Sequence, residues 1–133
     1  MLGKQIGEER GQITAMRVLP TDGPPTIEVS FQAVGHLLDV DVTDMGTYVA
    51  TARPDGNLAG TGQGVIMTPD GDVATWTGSG VGRPGKGGKA SWRGAIYFHS
   101  DSPALEQLNG IAVIYEFETD ESGKAESKSW EWK

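Results

Sequence analysis

Residues 57–81 read NLAGTGQGVIMTPDGDVATWTGSGV, and this stretch decides the fold. At its centre, Pro69-Asp70-Gly71 has the residues of a three-residue hairpin loop, because proline presets the first turn position and glycine adopts the left-handed conformation of the last. Such a loop places Thr68 opposite Asp72. Counting outward predicts two further opposed pairs, Gly62 with Gly78 and Gly60 with Gly80.

A second motif of the same kind, Pro54-Asp55-Gly56, extends this register to the preceding strand. It places Tyr48 opposite Gly62 and Ala50 opposite Gly60, so two rows cross three strands on one face of the sheet. The same face carries five even-numbered apolar residues, Leu38, Val40, Val42, Leu58 and Ile66. We therefore assign this glycine-bearing face to the interior.

Apolar and polar residues alternate with period two along much of the remaining chain, which is the pattern of half-buried antiparallel strands. The predicted strands are 11–18, 26–34, 37–45, 47–53, 57–67, 72–81, 89–99, 111–119 and 125–132. The third and fourth are either separate strands or one long strand bent at Gly46. Eight or nine short strands at even spacing are typical of an all-β closed barrel or sandwich.

One short helix is predicted near residues 103–109. Ser102 is a good N-cap, Pro103 suits the first helical position, and Asn109-Gly110 is a stop signal. Ala104, Leu105 and Leu108 would then face inward. No predicted helix is long enough to cover a whole sheet face.

Composition limits the classes of function. The 133 residues suit a single domain, residues 1–133, and the formal net charge of -7 argues against nonspecific nucleic-acid binding. The chain has no cysteine, so disulfides and thiolate metal sites are excluded, and two histidines give only a weak metal signal. We expect no metal, no cofactor and no membrane partner. The first ten residues lack an apolar signal segment, and a cytoplasmic location is the default expectation.

The segment 78–94, GSGVGRPGKGGKASWRG, resembles a phosphate-binding loop in its spacing of glycines before Lys86. A P-loop needs a Ser or Thr after the lysine and a helix beyond it. Gly87-Gly88 supplies neither, and the residues that follow have a strand pattern. We therefore interpret the segment as a strand, a cationic loop and a second strand.

The glycine-bearing face has two compatible interpretations. In the first, glycines permit the tight coiling of a small barrel, and Tyr48 and Trp76 pack over them. In the second, the missing side chains leave a hollow for a small ligand, which an eight-stranded barrel is just wide enough to hold. The predicted ligand-binding residues are Tyr48, Gly60, Gly62, Trp76, Gly78 and Gly80.

Polar chemistry has three candidates on one strand face, Arg93, Tyr97 and His99, which would serve as catalytic residues if that face points inward. Glu116 and Glu118 share a face on the strand 111–119. The alternation of Val113, Tyr115 and Phe117 favours an outward position for both carboxylates, opposite Lys128. An inward position would instead give buried acids suited to proton transfer.

The residues Gly56-Asn57-Leu58-Ala59-Gly60, then 75–82 (TWTGSGVG) and Trp92-Arg93-Gly94 resemble the allene oxide cyclase and dirigent-like barrel superfamily. The resemblance covers the middle third of the chain. Val81-Gly82 replaces an aromatic step of that pattern, and the loop 83–88 is longer. The resemblance implies an eight-stranded calycin-like barrel that binds small apolar molecules. No catalytic residue of the family carries over.

Two functions follow as hypotheses. One is a barrel that binds a small apolar molecule, with cofactor-independent cyclase or isomerase activity as its catalytic form. The other is a non-catalytic ligand-binding or structural barrel that acts as a homo-oligomer.

Overall fold

Eight antiparallel strands close on themselves in chain order in the computed structural model, which describes residues 2–133. The strands are β1 (Leu2–Val18), β2 (Thr26–Leu37), β3 (Val40–Ala52), β4 (Leu58–Met67), β5 (Val73–Pro84), β6 (Ala90–His99), β7 (Ala112–Thr119) and β8 (Lys124–Trp132). β8 pairs with β1, so the predicted closed eight-stranded barrel is confirmed. No helix within residues 2–133 has the length and apolar character needed to cross a membrane.

Both Pro-Asp-Gly loops have the predicted geometry. The Thr68 amide donates to the Asp72 carbonyl at 3.0 Å, and the Arg53 amide donates to the Asn57 carbonyl at 2.8 Å. Gly56 and Gly71 adopt the left-handed region, with φ of 88° and 90°. The predicted rows follow: Tyr48 pairs with Gly62 and Gly62 with Gly78, while Ala50 pairs with Gly60 and Gly60 with Gly80.

β3 is one continuous strand through Gly46, which is one of the two predicted alternatives. Two strand starts need correction. β3 starts at Val40 because Leu38 and Asp39 form the preceding turn, both with positive φ. Leu38 is therefore a turn residue and not part of the interior row of β3. β1 begins at Leu2, nine residues earlier than predicted, since β8 pairs with it from Leu2 and β2 pairs with it from Gly7.

A 3-10 helix, η2 (Pro103–Gly110), closes the end of the barrel between β6 and β7. Leu105 and Leu108 are completely buried, and they pack with a core that includes Ile6, Leu37, Val42, Ile66 and Val113. Ala104 is exposed, contrary to the prediction. Ser102 is the N-cap residue and Pro103 begins the helix, as predicted, but the Ser102 hydroxyl makes no capping hydrogen bond. It accepts a hydrogen bond from the Val73 amide instead, at 3.3 Å.

The segment 78–94 has the strand–loop–strand form predicted for it. β5 ends at Pro84, a short 3-10 turn, η1 (Lys86–Gly88), follows, and β6 begins at Ala90. The β5–β6 loop lies at the end of the barrel opposite η2, because η2 connects the far end of β6 to β7. The loop connects β5 to β6 through the single turn η1.

Gly71→Ala is expected to lower the free energy of unfolding by about 1–2 kcal/mol, since an L-residue is strained in the left-handed region. The added methyl itself meets open space, so backbone strain is the only cost. Gly110→Ala is the matched control, because Gly110 also faces open space but lacks a positive φ. Urea unfolding of both variants measures the difference, and equal stabilities would contradict the assigned turn.

Candidate functional site

Aromatic rings occupy much of the space that the interior glycines leave. A Cβ at Gly46 would meet the rings of Phe31 and Trp76, and a Cβ at Gly64 would meet the Trp76 indole. Trp92 lies in the same way against Gly60 and Gly82. The packing interpretation of the glycine face is therefore confirmed at these positions, with Trp92 as a filler that the sequence analysis did not assign.

A cavity of about 80 Å³ remains inside the barrel beside Tyr48 and Trp76. This volume exceeds the roughly 10–15 Å³ that one water molecule needs, but it lies below the roughly 300–1,000 Å³ of sites for drug-sized ligands. The walls carry seven aromatic side chains: Phe31, Tyr48, Trp76, Trp92, Phe98, Tyr115 and Phe117. The space suits a small molecule or one end of a longer one.

The aromatic side chains contact one another across the barrel. The ring centroids of Tyr48 and Trp92 are 5.4 Å apart in an edge-to-face arrangement, and those of Phe31 and Phe117 are 5.2 Å apart. Phe31 also stacks on Trp76 at 6.3 Å. Such pairs stabilise each other beyond the area they bury, so the cavity has a preformed apolar wall.

Two carboxyl groups that were not among the predicted site residues also line this cavity. Glu9 of β1 and Asp44 of β3 are only 9% and 7% exposed, and their side chains hydrogen-bond each other. The Trp76 indole Nε1 donates a second hydrogen bond to Asp44 Oδ1 at 2.9 Å. Asp44 thus accepts hydrogen bonds from both sides.

Burial raises the pKa of Glu9 to about 9, with a further increase from the nearby charge of Asp44. Burial also raises the pKa of Asp44, against the hydrogen bonds from Glu9 and Trp76, which favour its ionised form. The shared proton therefore belongs on Glu9 and points at Asp44, since carboxyl groups in contact do not both ionise readily. Glu9 therefore keeps its proton at neutral pH, and the pair does not carry two negative charges there.

Trp92, whose ring lines the same cavity, has an unsatisfied hydrogen-bond donor. Its side chain is 4% exposed, and its Nε1 finds no hydrogen-bond acceptor among the described residues. A buried donor without an acceptor costs about 1–3 kcal/mol. Its ring belongs to the cavity wall, whereas Nε1 itself has almost no accessible surface, so an acceptor could reach it only after the ring moves.

Five of the six predicted ligand-binding residues line the cavity, namely Tyr48, Gly60, Gly62, Trp76 and Gly78. Gly80 lies outside the lining. The space beside it holds the Tyr115 hydroxyl, which donates to the Ser79 carbonyl at 3.3 Å. Gly80 therefore makes room for Tyr115 and not for a ligand.

Arg93, Tyr97 and His99 were predicted as catalytic on the condition that their face points inward, and that condition is not met. β6 directs Trp92, Ile96 and Phe98 inward through its pairing with the glycine strand, so the alternating residues lie outside. Tyr97 is 56% exposed, and His99 Nε2 lies 3.1 Å from Asp101 Oδ1 at the surface. None of the three reaches the cavity.

The outward placement of Glu116 and Glu118 is confirmed. Glu116 lies opposite Lys128 in the register of β7 and β8, as predicted. The ion pairs, however, are made with Arg93, whose Nη1 lies 2.8 Å from Glu118 and whose Nε lies 3.9 Å from Glu116. All three side chains are about half exposed, so these pairs contribute little to stability.

Within residues 2–133, no cluster of three or more His, Asp or Glu side chains has an arrangement that could hold a metal ion. The Glu9–Asp44 pair has no third carboxylate or imidazole beside it. The chemistry available at the cavity is therefore hydrogen bonding, charge and proton transfer by two carboxyl groups, with phenol and indole donors around them.

Solved structures with the same architecture come from three bacteria. A conserved protein of unknown function from Rhodopseudomonas palustris is 12% identical, with a TM-score of 0.83 over 98% of this chain and 97% of that one. A protein with unknown function from Clostridium acetobutylicum is 10% identical, with a TM-score of 0.82 over 96% of each chain. A beta-barrel like protein from Acinetobacter baumannii is also 10% identical, with a TM-score of 0.82 over 100% of this chain and 96% of that one.

These likenesses show a shared fold. No family model matches the chain, and no curated protein matches its sequence. None of the three structures is described as an allene oxide cyclase or a dirigent protein, so that resemblance stays a prediction.

Proposed function

We propose that this barrel binds a small, largely apolar molecule in its interior and orients it through the Glu9–Asp44 pair. The observation that carries the proposal is the cavity itself, whose wall is mainly aromatic and whose strongest polar feature is one hydrogen-bonded carboxyl pair. Apolar walls with a few converging polar groups are the usual design of small-molecule sites. The volume restricts the ligand to a small molecule or to the end of a longer one.

Benzene and benzyl alcohol are suitable first probes, and the four tryptophans supply the readout. Trp76 and Trp92 line the cavity, whereas Trp130 and Trp132 do not. In nitrogen-labelled protein, titration is expected to shift the indole N–H signals of Trp76 and Trp92 and to leave those of Trp130 and Trp132 in place. Equal shifts at all four would indicate surface adsorption and contradict the proposal.

Ser127→Leu is expected to abolish binding of the probes in the cavity. Ser127 lines the cavity, so a leucine there would fill the space, whereas Lys128→Leu places the same side chain on the outer face of the same strand. The shifts are expected to disappear in the first variant and to persist in the second. Mass spectrometry of denatured wild-type protein then identifies any molecule that copurifies.

Cofactor-independent cyclase or isomerase activity is the catalytic form of this proposal. Glu9 would supply the proton, because it is the carboxylic acid that borders the cavity, whereas Arg93, Tyr97 and His99 lie outside. A binding protein would release its ligand unchanged, and an enzyme would convert it. Comparing the copurified molecule before and after incubation with fresh protein separates the two.

The homo-oligomer alternative has one observation in its favour. The outer face of β2 to β5 exposes six large apolar side chains, Val34, Met45, Val65, Met67, Val73 and Val81. A second copy of the chain could cover this surface. Sedimentation of wild-type protein beside the double variant Met45→Lys/Val65→Lys tests it: the alternative requires an oligomer that the double variant converts to monomers.

A further inference from the structure

We infer that the ligand of the cavity is a small organic cation, a protonated amine that also carries a hydrogen-bond acceptor. The inference rests on the proposed function and adds the chemical class of the ligand. Three independent features of the cavity support it: a carboxyl pair without a cationic partner, a wall of aromatic rings, and an indole donor that lacks an acceptor.

The first feature is an unbalanced charge. The side chains that line the cavity among residues 2–133 include two carboxyl groups and no Lys, Arg or His. Buried carboxylates are usually paired with a cation or hydrogen-bonded on every side, because charge is costly to remove from water. Glu9 and Trp76 already hydrogen-bond to Asp44, but neither of them supplies a positive charge. An ammonium group, with up to three N–H donors, would supply both the missing positive charge and further donors.

The second feature is the ring system around that charge. Phe31 and Trp76 stack beside the carboxyl pair, and Tyr48 contacts Phe31 with ring centroids 6.3 Å apart. Aromatic faces attract organic cations through their electron-rich centres, and the attraction is larger where water is excluded. A neutral apolar ligand would use these rings but would leave the carboxyl pair unbalanced.

The third feature is Trp92 Nε1, which is buried without an acceptor among the described residues. The positive end of an amine cannot satisfy it, so a ligand that draws the Trp92 ring toward itself would also present an oxygen or another acceptor. Trp92 and Glu9 lie in one register row around the barrel, through Phe117 and Ser127, and are separated by two strands. The two polar ends of the ligand therefore have distinct partners.

The charge of the whole protein agrees with a cationic ligand. The formal net charge is -7, and a field of that sign raises the local concentration of cations and speeds their association. The other titratable groups that line the cavity are Tyr48 and Tyr115. Burial raises the pKa of both phenols, so they remain neutral and do not compete with the carboxyl pair for the cation.

The test compares amines with neutral alcohols of the same shape by calorimetry on the intact chain. The pairs are methoxyethylamine with methoxyethanol, which both carry an ether acceptor, and benzylamine with benzyl alcohol. In each pair the amine is expected to bind at least about tenfold more tightly. Its affinity is also expected to rise as the pH approaches about 9, because Glu9 then loses its proton and the pair becomes more negative, whereas the alcohol shows no such dependence.

Asp44→Asn is expected to lose about tenfold or more in amine affinity and to keep its affinity for the alcohol. Glu126→Gln, which removes an exposed carboxylate from the outer face of β8, is expected to change neither. If Asp44→Asn does not fold, the amine-to-alcohol ratio and its pH dependence in the wild-type protein decide. Alcohols that bind as tightly as amines overturn the inference and leave the proposed function intact. Binding of neither overturns the inference, and the proposed function falls with it only if benzene also leaves the Trp76 and Trp92 signals unchanged.

Discussion

Glu9→Gln is expected to flatten the pH dependence of the barrel's stability between about pH 5 and about pH 9. In the wild-type protein, burial raises the pKa of Glu9 to about 9 from its ordinary value of 4.5. The folded chain therefore holds a proton that the unfolded chain has released throughout this range. Stability is greatest below the unfolded pKa and decreases as the pH rises toward the folded one. Glutamine has no proton to lose.

The size of the effect follows from linkage. One proton retained only in the folded state lowers the free energy of unfolding by at most about 1.4 kcal/mol for each pH unit. The wild-type protein is expected to lose most of this stability by pH 9, where two carboxylates in contact would share one buried site. The glutamine amide can donate to Asp44 as the Glu9 hydroxyl does, so the variant is expected to match the wild type near pH 5 and to exceed it at pH 9.

Denaturant unfolding at several pH values measures these slopes. Glu126→Gln is the control, since it removes the same formal charge from an exposed site on β8 and is expected to retain the wild-type slope. Parallel slopes for Glu9→Gln and the wild type would show that Glu9 is ionised in the folded protein. In that case Glu9 and Asp44 would not share a proton.

The part of the fold around β3, β4 and β5 could be predicted in register because its turns have defined chemistry. Pro-Asp-Gly fixes the length of the loop, and a fixed length fixes every pair along the hairpin. The N-terminal strand could not be predicted in the same way. Residues 2–10 contain Lys4, Glu8 and Arg10 and lack a repeating apolar face. They form a strand because β8 pairs with them from Leu2 and β2 pairs with them from Gly7, and the pairing with β8 is a property of the closed barrel.

Of the two carboxyl residues at the cavity, Asp44 could have been predicted from the sequence and Glu9 could not. Asp44 shares the even-numbered face of β3 with Val40 and Val42, so the register that placed glycines inside also placed this carboxylate there. An acidic residue on a predicted interior face is a signal of function. Glu9 lay outside the predicted first strand, and strand β2 separates it from Asp44 in the sheet. Nothing local in the sequence joins the two.

The face of β6 was undecided for a related reason. The β5–β6 loop has no Pro-Asp-Gly motif, so its length did not fix whether Arg93 or Trp92 points inward. The observed pairing of Gly80 with Gly94 continues the interior row, which places Trp92 inside and Arg93 outside. The glycines thus determine which aromatic rings enter the barrel, and one of those rings, Trp76, holds Asp44. Packing and the candidate site therefore depend on the same residues.

Gly64→Ala is expected to disturb both the packing of Trp76 and its hydrogen bond to Asp44. The expected loss of stability is about 3 kcal/mol, the sum of overpacking and a lost hydrogen bond to a charged group. The new Cβ would overlap the Trp76 indole at Nε1, and the ring cannot yield freely because Phe31 stacks against it. Displacement of the ring removes the donor to Asp44, which favoured the ionised carboxylate, so the pKa of Asp44 rises further and the loss of stability increases with pH.

Gly78→Ala is the matched control for this variant. It lies on the same interior face, but the nearest atom to its Cβ is the Ala95 carbonyl oxygen at 3.0 Å, so a small shift accommodates the methyl. Urea unfolding at two pH values, together with the indole N–H signal of Trp76, distinguishes the two changes. If both variants lose the same free energy of unfolding at both pH values, Gly64 has no particular role in positioning the Trp76 ring. A larger loss of stability in Gly64→Ala, with a shifted Trp76 indole N–H signal, would show that Gly64 leaves the space for the ring that hydrogen-bonds to Asp44.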